Sequence, residues 1–170
     1  MARRVVGIAA AAAVMGLLIG GGAAARSPAP EPDASGKFPR FESLRANKVF
    51  MRTGPGEQYP VEWVFLRRDM PLEVIVSVEH WRKVKDWQGA IGWVHQKMLW
   101  PHRDAMVTGA VRALRANPAP NAAIVARAEP GVIGKLVECQ GAWCRIEAGD
   151  YGGWLMRGEI FGVEPTETYP

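Results

Sequence analysis

The sequence predicts an all-β protein: two small β-barrels in tandem, packed together and preceded by an export signal. Three observations predict it. Arg52, Trp81, Val84 and the pair Gly92-Trp93 return as Arg115, Trp143, Ile146 and Gly153-Trp154, a repeat of about 62 residues with single-residue slippage. Each copy reads as short apolar-alternating runs separated by turn residues. Beyond Arg26, no window of about a dozen residues sustains helical spacing of apolar positions.

The elements follow in order. Arg3 and Arg4 precede an uncharged run from Val5 to Ala25 that ends in Ala23-Ala24-Ala25, small residues suited to signal-peptidase cleavage before Arg26. Residues 1–25 are therefore expected to be a signal peptide, with a retained membrane anchor as the alternative. Either reading places the remainder outside the cytoplasm, in the periplasm, with no membrane span after cleavage. Residues 26–37, RSPAPEPDASGK, are too polar to bury themselves and read as a disordered linker. Barrel one is assigned to residues 38–101, barrel two to 102–164, and a tail to 165–170.

In barrel one, Leu72, Val74, Val76 and Val78 alternate with Glu73, Ile75, Ser77 and Glu79, the period of a half-buried strand. Turns at Glu79-His80 and Gln88-Gly89 then separate Trp81–Asp86 from Ala90–His95. In barrel two the corresponding runs are Ile133–Cys139, Trp143–Glu147 and Tyr151–Met156. A unit of about 60 residues is marginal alone, so the short link from Trp100 to Ala105 implies that the barrels pack together, with Trp100 a candidate for the seam.

Composition narrows the function. The 170 residues carry a formal net charge of +4, but half of it comes from the two arginines of the export segment. The remaining Lys and Arg are scattered among acids rather than clustered, so nucleic acid is not an expected partner. Two Cys and three His provision metal sites poorly, and no Ser or Cys stands beside a base in a nucleophile context. Neither catalysis nor a cofactor is expected.

Cys139 and Cys144 flank Gln140-Gly141-Ala142-Trp143 in a predicted hairpin. Cross-strand partners lie about 4.5–5.5 Å apart at Cβ, and local twist at a non-hydrogen-bonded pair brings them within bridging range. A disulfide suits an exported chain; two reduced thiols are the alternative. The aligned residues of barrel one, Ser77 and Arg82, cannot form one.

The motifs of the first copy, Asn47-Lys48-Val49-Phe50-Met51-Arg52-Thr53-Gly54-Pro55-Gly56 with Tyr59-Pro60, then Trp81-Arg82-Lys83-Val84 and Gly92-Trp93-Val94, resemble bacterial SH3 domains. Tandem SH3-like proteins exported by alphaproteobacteria are similar in layout. The resemblance implies SH3-like barrels and a binding or scaffolding role, with a cell-wall peptide or an envelope protein as partner. The second copy departs from it where Asn117-Pro118-Ala119-Pro120-Asn121 replaces the G-P-G loop, which puts any ligand role of that loop in doubt there.

Aromatic residues are unevenly shared. Trp63, Trp81, Trp87, Trp93 and Trp100 fall in the first copy, against Trp143 and Trp154 in the second. Trp93 and Trp154 read as core residues of the closing strand; Trp81 and Trp143 fit a structural or a seam role. Tyr59, Trp63 and Trp87 have no aromatic counterpart, the shift landing on residues such as Asn121 and Gly149. They suggest a ligand groove on barrel one, with Arg52 and Arg67 at its charged rim; packing beneath the loop or between barrels is the other reading. Two functions follow: recognition of a peptide-like ligand such as a peptidoglycan stem or an extended protein segment, or assembly of envelope proteins without a small ligand. The sequence does not set the oligomeric state.

Overall fold

A computed structural model describes residues 38–170; the predicted export signal and linker lie outside the described residues. Barrel one is built from β1 (Arg40–Leu44), β2 (Val49–Arg52), β3 (Val61–Phe65), β4 (Pro71–Val78), β5 (Trp81–Lys85), β6 (Ile91–His95) and β7 (Leu99–Trp100). Barrel two follows with β8 (Asp104–Val107), β9 (Arg112–Arg115), β10 (Ile124–Ala128), β11 (Ile133–Gln140), β12 (Trp143–Ala148), β13 (Tyr151–Met156) and β14 (Ile160–Phe161). One-turn 3-10 helices, Gln96–Met98 and Arg157–Glu159, precede the last strand of each. No helix among the described residues is long and apolar enough to cross a membrane.

The strand orders, β3-β2-β6-β5-β4-β1-β7 and β10-β9-β13-β12-β11-β8-β14, are the same order written twice. Each sheet curls on itself, because residues from its two edge strands meet in one core. Phe65 and Leu99 share the first apolar cluster, Ala128 and Ile160 the second. Closure brings Gly92 of β6 against the Met51 side chain and the Arg52 carbonyl, and Gly153 of β13 against Leu114 and Arg115. A side chain at either glycine would hold the strands apart, which is the physical reason for glycine ahead of the repeated tryptophans.

Two expectations about facing change. Val94 and Leu155, fully buried, fill the cores; Trp154 is buried as expected, whereas Trp93 is half-buried and lies outside the core cluster of its barrel. With alternate residues on opposite faces, core residues at Val94 and Leu155 put the preceding tryptophans on the opposite face, where Trp93 stays half-exposed and Trp154 is covered. In β4 the register shifts between Val74 and Val76. Such a bulge slips the alternation by one residue, so Leu72, Val74 and Ile75 are buried while Val78 is exposed.

The barrels pack against each other. Met106 of β8 belongs to the core of barrel one and Ile133 packs on it. Phe41 meets Phe161 edge-on at 5.2 Å. Ser43 Oγ donates to the His102 carbonyl (3.0 Å), and Arg67 donates to the Gly131 carbonyl (2.6 Å). Trp100 lies in this region with the Arg68 guanidinium 4.7 Å from its ring centre.

Cys139 and Cys144 are joined by a disulfide. They are direct partners across β11 and β12 with Cα atoms 4.1 Å apart, the close spacing of a non-hydrogen-bonded pair. The Cys139 N–H accordingly points out of the hairpin and donates to the Tyr169 carbonyl at 2.9 Å. The bulge between Leu136 and Glu138 turns Cys139 toward the core cluster it joins with Cys144 and Tyr169.

Candidate ligand groove

Barrel one carries a cavity of about 480 Å³ lined by Lys48, Val49, Phe50, Arg52, Glu57, Trp81, His95, Lys97 and Met98. The strand period builds one wall: Lys48, Phe50 and Arg52 are alternate residues along β2 and its approach, so they share a face. Phe50 is 43% exposed, with the Lys48 ammonium 5.3 Å from its ring centre. The cross-strand pair Trp81 and His95 forms the other wall, their rings edge-on at 5.3 Å.

Hydrogen bonds orient the polar groups. His95 Nδ1 accepts from the Lys97 backbone N–H (3.2 Å), so in the neutral ring Nε2 carries the proton and is a donor. The Arg52 guanidinium donates to the carbonyls of Glu57 (3.1 Å) and Tyr59 (2.7 Å), which fastens the G-P-G loop across the strand end. Lys48, Arg52 and Lys97 outnumber the single carboxylate, Glu57. The walls thus offer an aromatic face beside an excess of positive charge, an arrangement that receives a carboxylate attached to a flat or aliphatic body.

Of the five residues predicted for a groove, Arg52 lines this cavity. Tyr59 is tied to it through its carbonyl, and its ring covers Gly54, where any side chain would overlap it. Trp63, 47% exposed, stands on the outer strand β3 opposite Met51. Trp87 occupies the turn after β5, held by Asp86, whose Oδ1 accepts the N–H groups of Gln88 and Ala90. Arg67 lies elsewhere, at the seam, where it lines a second cavity with Arg68, Asp69 and Asp104. Asp104 is buried there and its pKa is raised above the usual carboxylate value, mainly by loss of hydration, with the neighbouring Ser43 hydroxyl acting in the other direction.

Sequence reasoning missed Lys48, Phe50 and Lys97 as groove residues. The alternation Lys48-x-Phe50-x-Arg52 was the available signal, since an aromatic residue between two cations on the outward face of a strand has no core to enter. In barrel two the matching positions are Val111, Ala113 and Arg115, and Met156 stands for His95. The loop geometry nevertheless persists: Arg115 donates to the Ala122 carbonyl (2.9 Å) as Arg52 does to Tyr59. Asn117 fits where Gly54 stood because Ala122 has no ring to lay over it.

The family model described as Bacterial SH3 domain matches the chain twice, at residues 45–101 and 109–162. No curated protein matches. Among solved structures, NlpC1 from Trichomonas vaginalis is similar over 72% of this chain and 45% of that one, at 11% identity and a TM-score of 0.35. NlpC2 from the same organism covers 73% and 48%, at 11% identity and 0.34. An NlpC/P60 family protein from Bacillus cereus covers 71% and 55%, at 13% identity and 0.33. The chain spans about half the length of these structures.

Proposed function

The chain belongs to the bacterial SH3 domain family, whose members are binding modules, and from that premise we propose that it is a non-enzymatic module of the cell envelope. Its ligand is a peptide-like molecule bearing a carboxylate, held on barrel one. A peptidoglycan stem peptide has this chemistry, as does an extended acidic protein segment. The observation that carries the reading is the aromatic and cationic face of Lys48, Phe50, Arg52 and Trp81, which barrel two repeats only in Arg115 and Trp143. Export to the periplasm belongs to the same reading. The Cys139–Cys144 disulfide supports an oxidising compartment, and Arg26 is expected as the first residue of protein recovered from the periplasmic fraction.

Co-sedimentation with purified sacculi tests the ligand. The wild-type chain is expected in the pellet, and Phe50→Ala with Trp81→Ala in the supernatant. Equal retention of both proteins overturns the groove.

A second reading, assembly of envelope proteins, is favoured by the edge strand β3. Val61, Trp63 and Val64 are exposed along it, and an apolar strand edge is a template for association. Sedimentation equilibrium checks this: a concentration-dependent dimer lost on Trp63→Lys supports assembly, and a monomer at all concentrations rejects self-association.

A further inference from the structure

The two hairpins that carry Ser77 and Cys139 are equivalent, and among the described residues only that of Cys139 is covered. Val78↔Trp81 and Gln140↔Trp143 close the tight turns, so the next pairs are Ser77↔Arg82 and Cys139↔Cys144. In such a pair the backbone groups face away from the hairpin partner. Barrel two uses them: the chain's last residues run back along β11, and Tyr169 forms an antiparallel bridge with Cys139. Arg103 holds this segment, its Nη2 donating to both oxygens of Glu167 (2.7 and 2.9 Å) and to the Gly162 carbonyl (3.0 Å).

Barrel one has the receptor for such a segment, and the described residues supply no segment to fill it. Strand register places Arg40 where Arg103 stands, because the following residues pair as Phe41↔Glu73 and Asp104↔Lys135. Ser77 takes the place of Cys139 and is exposed. Among the described residues nothing pairs with its outward backbone groups, since after β7 the chain leaves through Pro101 for barrel two. Arg40 turns instead onto Glu42 of its own strand, with Nε 2.7 Å from Oε1.

We propose that the free edge of β4 at Ser77 receives an extended acidic segment of a partner polypeptide, which adds a strand there and places a carboxylate on Arg40. The spacing is set by the chain's own example: the carboxylate stands two residues before the residue that pairs, as Glu167 precedes Tyr169. Main-chain hydrogen bonds then supply affinity and the Arg40 pair supplies register. This surface is separate from the groove around Phe50 and does not rest on it.

The test uses isotopically labelled protein of residues 26–170 and, as probe, a synthetic peptide of residues 162–170. Saturable amide shifts at Ser77 and Val78 are expected. Loss of the charged contact by Arg40→Ala, or by E167Q in the peptide, should weaken binding about tenfold. Ser77→Pro, which removes the outward N–H, should abolish it, while Phe50→Ala leaves it unchanged. Shifts confined to Cys139 and Gln140, or no shifts, overturn the proposal. So does a concentration-dependent dimer that disappears on deletion of residues 165–170, since the occupant would then be a second copy of this chain.

Discussion

In barrel two the end of the β11–β12 hairpin is doubly secured, by a disulfide between its strands and by a clamped tail along its outer edge. The matching end of barrel one is Ser77 opposite Arg82, and among the described residues nothing pairs with the outer edge of the strand there. Barrel one in turn keeps the exposed Phe50 and its flanking cations, where barrel two has Ala113. One topology has been spent in two ways: the second copy is closed and braced, the first left open and decorated for contact. Duplication explains the economy, because a barrel supported across a seam by Met106 and Ile133 can leave an end uncovered.

The sharpest way to break this comparison is to remove the brace. Cys139→Ala with Cys144→Ala should cost barrel two about 2 kcal/mol, the low end for a short loop, while barrel one unfolds as before. Calorimetry with and without reductant resolves the two, and equal losses in both barrels would mean that they unfold as one unit. Removing the tail clamp comes next. Arg103→Ala should destabilise by about 1.5–3 kcal/mol, because its bonds to Glu167 are charge-assisted and partly buried. Arg40→Ala removes a guanidinium that is itself largely exposed from its buried partner Glu42 and should cost about 1 kcal/mol, less than Arg103→Ala; urea midpoints compare them.

The loops offer a finer contrast. Gly54→Ala forces the Tyr59 ring aside and should cost about 1 kcal/mol, with Tyr59→Ala restoring it. Asn117→Ala at the matching position should be close to neutral. The smallest effect concerns the seam. Asp104 titrates above its unfolded value of 3.8 because burial strips its hydration, so between the two values the folded state holds the extra proton. Stability therefore falls as pH rises through that window. Asp104→Asn should flatten this part of the pH–stability profile, as followed by denaturant midpoints.

The repeat, the strands and the hairpin cysteines were legible because they are local. Side-chain alternation marks a strand wherever it sits, and tryptophans in register mark a copy. Glycine before Trp93 and Trp154 could be read too, although its reason, the close pass of β2 and β9, became visible only on closure. The outward turn of Val78 and Trp93 was not legible, since one bulged residue reverses every facing after it and leaves no mark in composition. Arg67 was misgrouped with the groove for a different reason: loop residues carry no periodicity, and its partner, the Gly131 carbonyl, belongs to the other barrel.

By itself the sequence determined that one β module was written twice, because hydrophobic period and turn chemistry act over a few residues. It also determined that only the second copy could be cross-linked, since both cysteines stand there. Tertiary structure alone decided which faces became groove, seam and tail-binding edge. Those surfaces join residues distant in the chain, such as Phe50 with Trp81 or Arg103 with Glu167, and their chemistry exists only once folding has set them side by side.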